Sequence, residues 1–555
     1  MASAKGTNAI VLHGHLPWIH HPTFEDFLEE DWYFEAVTET YLPILAMLDG
    51  LKADRIPARL CIGLTPPLLE MFRSESLSLK VDRFLARRRR LAEEEVTRLR
   101  DDETFGPTAR HYLKRFQALW DLWVAKDRDL VAAFRLHQDE GRIEILASCA
   151  THAVLPLVHT KEAQRAQICL GLALYQEVFG IAAQGFWLPE CAFTPALDGL
   201  LAEVGVRYVI LESHGVKCAS PTPKSGIYRP IKSPSGVAIF ARDPESSRQV
   251  WAAEVGYPGD PVYRELYRDL GYDGAYESLR PYLHQDGVRR NLGIKYHRVT
   301  GKVDLQDKEP YNPEEARERA KVHAGHYLWS RGEQIKTLAD RMSEAPCVLS
   351  PYDMELFGHW WYEGPWFLNA IFRQMHDRSQ RPPIRMVTPS QVLREPGSLP
   401  SAMPILSTWG EEGYLKVWLN EKNSWVLRHQ QEAERRMLER AREHTTPDKR
   451  THRLLNQMLR ELFLLQASDW AFILTKETTV HYAKKRITDH THRFLLLERA
   501  LADPSVLSAE EEALIMAEDS CFPGLDYRLI LGGPASLPGQ RLGHPPTRAA
   551  AKVGP

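Results

Sequence analysis

Short apolar runs that end in polar residues recur along the first 400 residues of the chain. They occupy residues 9–12, 60–64, 143–146, 185–188, 208–211, 348–349 and 385–387. Continuous apolar runs of this kind predict strands that are buried on both faces, which are typically parallel strands. Helical stretches such as 162–179 and 196–204 separate many of them. The pattern therefore predicts an α/β fold with a parallel sheet.

Polar side chains follow the predicted strands at their carboxyl ends. A (β/α) barrel places its active site in this way, because the loops after its strands meet at one face. An open doubly wound sheet is the competing architecture, but no GxGxxG sequence follows the first strand. We therefore expect a barrel with a site built from the strand ends.

Three regions depart from this alternation. Residues 70–140 are charged and helical in pattern, with Arg89 and Arg90 four residues before Glu93 and Glu94, as on a solvated helix face. Residues 215–340 are rich in Pro, Gly and Tyr and predict an irregular insertion. Beyond residue 400, apolar residues recur at helical spacing and predict an all-helical region. We expect a barrel domain over 1–400, a helical domain over 401–530 and a disordered tail over 531–555.

Composition narrows the classes of function. The 555 residues include 70 Lys plus Arg and 73 Asp plus Glu. The chain therefore lacks the excess of basic residues that is typical of nucleic-acid-binding proteins. No apolar run approaches the roughly 20 residues of a bilayer span, and no signal-peptide core is present near the first residue. Seven dispersed cysteines without a CxxC pair favour free thiols. We expect a cytoplasmic protein without nucleic-acid or membrane partners.

Two groups of carboxylates stand at predicted strand ends. Glu190 follows the apolar Phe186 and Trp187, and low dielectric there would raise its pKa or leave it a poorly solvated nucleophile. An acid at a helix amino terminus is the structural alternative. Asp353 and Glu355 precede a run of His, Trp and Tyr that suits stacking on sugar rings. Two such carboxylates fit glycoside chemistry, in which one attacks and the other transfers protons.

Histidines form the third group. His13 and His15 lie on the same side of the first strand, and His152 and His214 follow later strands. Three interpretations remain open on spacing alone: zinc ligands of a barrel hydrolase, hydrogen-bonding groups of an active site, and structural histidines.

Seven motifs then carry a resemblance to glycoside hydrolase family 57. They are VLHGHLPW, ASCATHAVLPL, GFWLPECAF, ARDPESSRQVW with GYPG, LSPYDMELFGHWWYEGP, WLNEKNSW and LLQASDWAF, in this order. Within that family the chain is most similar to the 1,4-α-glucan branching enzymes, over residues 8–530. The resemblance implies a distorted (β/α)7 barrel with a helical insertion and a helical C-terminal domain that closes the cleft.

The resemblance also implies a retaining reaction on α-glucan without a metal or other cofactor. It assigns Glu190 as the nucleophile and Asp353 as the acid/base. It assigns substrate contacts to Arg242, Gly259, Trp409 and Asp469, and it matches His13, His15 and His152 to site positions of the family. Trp187 and Trp360 fall beside the proposed site, where we expect them to bind substrate by stacking on sugar rings. We expect the protein to act as a monomer on amylose or a glycogen-like polymer.

The chain departs from the family pattern in two places. Branching members carry a long loop with a Tyr after the fifth strand that shields the intermediate from water, but residues 217–227 here are only KCASPTPKSGI. Thr478 stands where those enzymes have a substrate-contacting Gln. Because water exclusion favours transfer over hydrolysis, α-amylase activity on the same site is the main alternative. A metal-dependent barrel hydrolase is a more remote alternative.

Overall fold

The computed structural model describes residues 4–252, 255–377 and 382–533. Residues 534–555, most of the predicted tail, lie outside the described residues. The strands are β1 (Gly6–Gly14), β2 (Leu60–Leu64), β3 (Ile143–Ser148), β4 (Phe186–Trp187), β5 (Tyr208–Leu211), β6 (Ile231–Lys232), β7 (Ala238–Ala241), β8 (Cys347–Asp353) and β9 (Ile384–Met386).

The helices separate these strands in the first 400 residues and stand alone afterwards. They are α1 (Glu30–Ala36), α2 (Leu42–Ala53), α3 (Pro66–Phe72), α4 (Glu75–Arg98), α5 (Gly106–Ala125), α6 (Leu130–Asp139), α7 (Lys161–Phe179), α8 (Asp198–Glu203), α9 (Ser213–Lys217), α10 (Pro244–Trp251), α11 (Leu270–Asp273), α12 (Tyr276–Leu279), α13 (Pro313–Ala339), α14 (Gly364–His376), α15 (Pro389–Leu393), α16 (Ser424–Glu443), α17 (Lys449–Leu465), α18 (Ser468–Lys476), α19 (Val480–Ala502) and α20 (Ala509–Glu518).

The sheet curves into a distorted barrel. In the described part of the chain, parallel strands follow one another in the order β7, β5, β4, β3, β2, β1, β8. A backbone hydrogen bond of 2.8 Å from Asp243 N, just after β7, to Leu349 O of β8 links the two ends of this series. Strand β9 pairs with β1, and β6 pairs antiparallel with β7. The expected (β/α)7 barrel architecture is thereby confirmed.

Parallel register brings the strand ends to one face. His13 of β1 lies beside Gly63 of β2 on one side and beside Asp353 of β8 on the other. Ser148 of β3 lies beside Trp187 of β4. The strands are buried on both faces, which is why their sequences are continuously apolar. The polar residues that follow these strands therefore converge at one end of the barrel.

The predicted irregular insertion over 215–340 contains regular structure that the sequence pattern did not indicate. Strand β7 belongs to the barrel, and α13 is a helix of 27 residues. Asn312 caps α13 by accepting hydrogen bonds from the main-chain N–H groups of Glu314 and Glu315, and Pro313 occupies its first turn. The interpretation of this whole stretch as irregular was wrong, because Pro, Gly and Tyr become sparse after residue 312, where α13 forms, and because the short apolar run of β7 lies between Pro- and Gly-containing segments.

Helices α16 to α20 pack together and against the barrel. The apolar stripe predicted from residue 454 onward is buried along α17 from Leu454 to Leu465, where the helix meets α19 and α16. In the charged region 70–140, α4 and α5 pack side by side, and Arg90 pairs with Glu94 at 3.3 Å on the exposed face. None of the helices in the described ranges has the length and apolar character needed to cross a membrane.

Candidate active site

The Glu190 carboxylate occupies a strained turn directly after β4. Its backbone φ of +61° is in the left-handed region, and Cys191 follows with +50°. Such conformations cost about 1–3 kcal/mol each for residues with side chains and persist where the surroundings hold them. Trp409 supplies that support twice, since its main-chain N–H donates to Glu190 O at 3.0 Å and its indole Nε1–H donates to Glu190 Oε2 at 2.9 Å. The carboxylate therefore has a fixed position and orientation.

Burial dominates the protonation of Glu190. It raises the pKa of this carboxyl, while hydrogen bonds from Trp409 and Ser468 oppose the rise. Its other oxygen, Oε1, lies 3.7 Å from Nδ1 of His152. Only 12% of the Glu190 side chain is exposed, so the ionised form is poorly solvated. A poorly solvated carboxylate whose Oε2 accepts a hydrogen bond from Trp409 is suited to nucleophilic attack through Oε1.

Asp353 ends strand β8 and has a protonation state different from that of an ordinary carboxyl. Burial, together with the negative charges of Glu355 and Glu190, raises the pKa of Asp353 to about 8, and Arg242 and His15 oppose the rise. The carboxyl therefore carries a proton at neutral pH. Two nearby carboxyls whose surroundings give them different protonation states are the usual basis of acid and nucleophile roles.

His13, His152 and Trp187 form a buried layer beneath the carboxylates. Nε2 of His13 and Nε2 of His152 are hydrogen-bonded at 2.9 Å, and Trp187 stacks on His13 with ring centroids 4.4 Å apart. Burial and the charge of His15 lower the pKa of both His13 and His152, so both imidazoles are neutral at pH 7. In a neutral pair one ring donates and the other accepts. The layer fixes His152 beneath Glu190.

The strand-end histidines do not assemble the ligand set that a zinc site needs. Nε2 of His13 and Nε2 of His152 bond to each other, and His214 lies in α9 against Tyr414. Within the described ranges, the group of His and acidic residues whose possible metal-ligand atoms lie close together is Glu461, His490 and Asp519, in the helical region.

That buried group in the helical region is an ion-pair network. Asp519 accepts hydrogen bonds from Arg486 at 2.7 Å and from Arg493. The two guanidinium groups already neutralise its charge, and a cation placed there would face their repulsion.

His15 and His152 connect the barrel to the helical region. His15 Nε2 bonds to Asp469 Oδ2 at 3.0 Å, and His152 Nδ1 bonds to Ser468 Oγ at 2.8 Å. Burial alone would lower the pKa of His15, but the charges of Asp469, Glu190 and Glu355 outweigh it and raise the pKa. His15 and Asp469 are 454 positions apart in the sequence, and His152 and Ser468 are 316 positions apart, yet all four residues lie in the same site.

Arg242 follows β7 and supplies a fixed positive charge. Its NH1 donates to Glu212 Oε2 at 3.1 Å and its Nε donates to Ser247 Oγ at 2.8 Å. Its guanidinium carbon lies 5.7 Å from the ring centroid of Trp409. Arg242 therefore lies beside Trp409, and its charge opposes the rise in the pKa of Asp353.

The aromatic residues predicted for sugar stacking occupy different environments. Trp187 and Trp361 are buried, with 0% and 1% exposure, so neither presents a free face to a sugar in this structure. Trp187 supports His13 and Trp409 instead. Trp360 is 43% exposed and lies beside the exposed Trp251, with ring centroids 5.9 Å apart. The Trp187 ring is thus covered by protein side chains, and its contact with substrate stays a prediction.

Two further predicted positions lie outside the hydrogen-bonded cluster. Gly259 is exposed at the end of the turn Tyr257–Gly259, whose Tyr257 hydroxyl bonds to His326. Thr478 is exposed in the turn after α18.

Several residues at the site were not singled out by sequence reasoning. The hydroxyl of Tyr41 donates to Glu355 Oε1 at 2.5 Å, and Ser468 contacts His152. Ser468 lies within the ASDW motif, which could have indicated it. No local signal marks Tyr41, because its partner is 314 positions away.

The barrel and its strand-end carboxyls define a class of enzyme, one that acts on glycosidic bonds through two carboxyl groups. The model of glycosyl hydrolase family 57 matches residues 9–403, and the model of the 1,4-alpha-glucan branching enzyme C-terminal region matches residues 429–529. The chain belongs to glycosyl hydrolase family 57, as the resemblance implied.

Relatives agree with this membership. The 1,4-alpha-glucan branching enzyme of Thermococcus kodakarensis is 32% identical, over 90% of this chain and 74% of its own. The crystal structure of the alpha-amylase AmyC from Thermotoga maritima superposes with a TM-score of 0.88 and 39% identity, covering 95% of this chain and 99% of its own. The branching enzyme from Pyrococcus horikoshii has a TM-score of 0.84 and 32% identity, covering 95% and 97%.

Proposed function

We propose that the chain is a retaining 1,4-α-glucan branching enzyme. The Glu190 carboxylate attacks the anomeric carbon of an α-1,4 bond while Asp353 gives its proton to the leaving oxygen. A covalent glycosyl-enzyme intermediate forms. Asp353, now ionised, removes the proton from a glucan 6-hydroxyl, which displaces Glu190 and creates an α-1,6 branch. The near-neutral balance of charges suits an uncharged polymer as substrate.

One observation carries this proposal: Glu190, anchored by Trp409, shares a site with Asp353, whose pKa of about 8 keeps it protonated. Transfer rather than hydrolysis is supported by the contacts of Ser468 and Asp469, which bring the helical region onto the barrel's strand ends. Such closure excludes water from the intermediate. The similarity of the C-terminal region to branching enzymes agrees with this.

Hydrolysis of α-1,4-glucan is the second candidate, because of the short segment after β5. Ser220 of that segment pairs with Met403 through two backbone hydrogen bonds of 3.0 and 2.9 Å, so the chain between Val216 and Tyr228 stays close to the barrel. The similarity to an enzyme described as an alpha-amylase supports the same possibility. We further propose that the protein is cytoplasmic and monomeric and that it uses no metal or other cofactor.

Proton NMR of the products formed from amylose distinguishes the two. We expect new α-1,6 anomeric signals with few new reducing ends. Reducing ends without α-1,6 signals would contradict branching. Glu190→Gln should lose all turnover, since an amide cannot form the intermediate, and full activity in this variant would overturn the assigned nucleophile. Activity should persist after dialysis against a chelator, and its loss would revive a metal-dependent mechanism.

A further inference from the structure

A π-helical turn joins α1 to α2 and ends on a residue that contacts the site. The turn is Val37–Tyr41. A π-helical turn departs from the normal i to i−4 pattern, and such turns occur often at functional sites. Tyr41 is fully buried, and its hydroxyl donates to Oε1 of Glu355, two residues after Asp353. The turn therefore supplies a phenol to the loop that follows the acid/base residue.

Close packing holds this loop against the π-helical turn. Gly358 has a φ of +129°, and a Cβ atom placed there would lie 1.8 Å from the carbonyl oxygen of Glu39. Only a glycine permits this approach of the two backbones. Because the loop and the turn touch directly, the Tyr41 hydroxyl and the Glu355 carboxyl have little freedom to separate.

Glu355 has charged neighbours on several elements. Its Oε1 also accepts a hydrogen bond from the main-chain N–H of His15 at 3.1 Å, and the imidazole of His15 supplies a favourable charge. Asp353, when it is ionised, is a like charge beside Glu355, and Asp353 in turn faces Glu190, Arg242 and His15. The charge on Glu355 is therefore felt directly by the acid/base residue.

Tyr41 is a permanent donor in this arrangement. Burial raises the pKa of Tyr41 far above its ordinary value, so the phenol keeps its proton. Burial also raises the pKa of Glu355, to about 7, and the hydrogen bond from Tyr41 opposes that rise. Near neutral pH, the presence of this one hydroxyl therefore changes how much of Glu355 is ionised.

We propose, on the basis of the function proposed above, that Tyr41 is a positioning residue that keeps Glu355 ionised beside Asp353 and thereby sets the pH at which Asp353 loses its catalytic proton. The ionised Glu355 repels the ionised form of Asp353. The acid therefore stays protonated to a higher pH than it would beside a neutral neighbour.

The pH profile of kcat/KM on amylose tests this directly. In Tyr41→Phe, Glu355 loses a donor, ionises less readily and repels Asp353 less. We expect the alkaline limb of the profile to move to lower pH by about 0.5–1 unit. Tyr33→Phe is the matched control, because Tyr33 is equally buried in α1 and its hydroxyl donates to a main-chain oxygen, Met71 O, at 3.3 Å. Its profile should stay where it is.

A second variant keeps the test decisive if Tyr41→Phe folds poorly. Glu355→Gln removes the charge itself, so its alkaline limb should shift in the same direction by at least as much. Adding Tyr41→Phe to Glu355→Gln should produce no further shift, since Tyr41 acts through Glu355. An unmoved limb in either single variant, or an equal shift in Tyr33→Phe, overturns the inference.

Failure of this inference is distinguishable from failure of the proposed function. An inactive Glu190→Gln with an unmoved alkaline limb in Tyr41→Phe would leave the carboxyl mechanism standing and remove Tyr41 from it. An active Glu190→Gln variant would overturn the proposed mechanism itself, regardless of the alkaline limb measured for Tyr41→Phe.

Discussion

At the scale of the single residue, Asp353 combines its proposed catalytic role with a cost in stability. In the unfolded chain an Asp carboxyl ionises near pH 4. In the folded protein burial and the charges of Glu355 and Glu190 keep the proton on until about pH 8. Between these values only the unfolded state releases the proton, so the group's contribution to stability is full below pH 4, declines as the pH rises and is lost above pH 8.

The variant Asp353→Asn should therefore be inactive yet more stable than the parent. Because one pKa unit corresponds to 1.36 kcal/mol, we expect the free energy of unfolding to rise by about 1–3 kcal/mol at pH 8 and by less at pH 5. Urea unfolding at the two pH values measures this difference. Asp101→Asn, at an exposed turn position, is the control and should change stability by less than about 0.5 kcal/mol. Equal gains at both pH values would contradict the assignment.

At the scale of elements, the contact between the π-helical turn and the loop after β8 depends on Gly358. In Gly358→Ala the new methyl group would overlap the carbonyl oxygen of Glu39, and the backbone at φ +129° is also strained for alanine. We expect a loss of about 2–5 kcal/mol in stability, from strain of about 1–2 kcal/mol and overpacking of about 1–3 kcal/mol. The contact of Tyr41 with Glu355 should weaken, and activity should fall with it.

Gly301→Ala separates the two contributions. Gly301 has a φ of +123°, close to that of Gly358, but a Cβ atom there meets nothing within 4 Å. Thermal unfolding should show a loss of only about 1–2 kcal/mol, with activity unchanged. If the two variants lose the same stability and both remain active, the close approach of the loop to the turn does not contribute to activity.

How far the sequence predicts these elements depends on whether the signal is local. The bounds of β2 and β5 coincide with apolar runs, because strands buried on both faces are apolar at every position. The strand-end positions of Glu190 and Asp353 follow from the same pattern. Strand β7 has only four residues inside a Pro- and Gly-rich stretch, so it escaped prediction. The bond from Tyr41 to Glu355 has no local signal, since it depends on tertiary packing alone.

At the scale of the whole molecule, the site is completed by residues far apart in sequence. The helical region contributes Ser468 and Asp469. The charge of Asp469 raises the pKa of His15, which lies beside the two proposed catalytic carboxyls. Glu434 of α16 adds a second connection, accepting hydrogen bonds from the main-chain N–H groups of His159 and Thr160 at 3.2 and 2.5 Å. The barrel supplies both carboxyls, and the helices supply closure and charge balance.

The variant Asp469→Asn tests this division directly. It keeps the shape of the side chain but leaves His15 without its charged partner. Hydrogen bonds to charged groups contribute about 1.5–3 kcal/mol. Each 1.36 kcal/mol is a factor of ten in rate, so kcat/KM on amylose should fall about ten- to hundredfold. The share of hydrolysis among the products should rise, because a loosened contact admits water to the intermediate.

Asp489→Asn is the matched control for that experiment. Asp489 forms an ion pair with Lys485 along α19, away from the strand ends, at 2.5 Å. Kinetics and product ratios should equal those of the parent protein. Reducing-end assays combined with NMR of α-1,6 signals separate hydrolysis from transfer in both variants. An Asp469→Asn protein that slows both reactions while keeping their ratio would show that the helical region positions His15 but does not exclude water, and water exclusion would then have to come from the barrel loops.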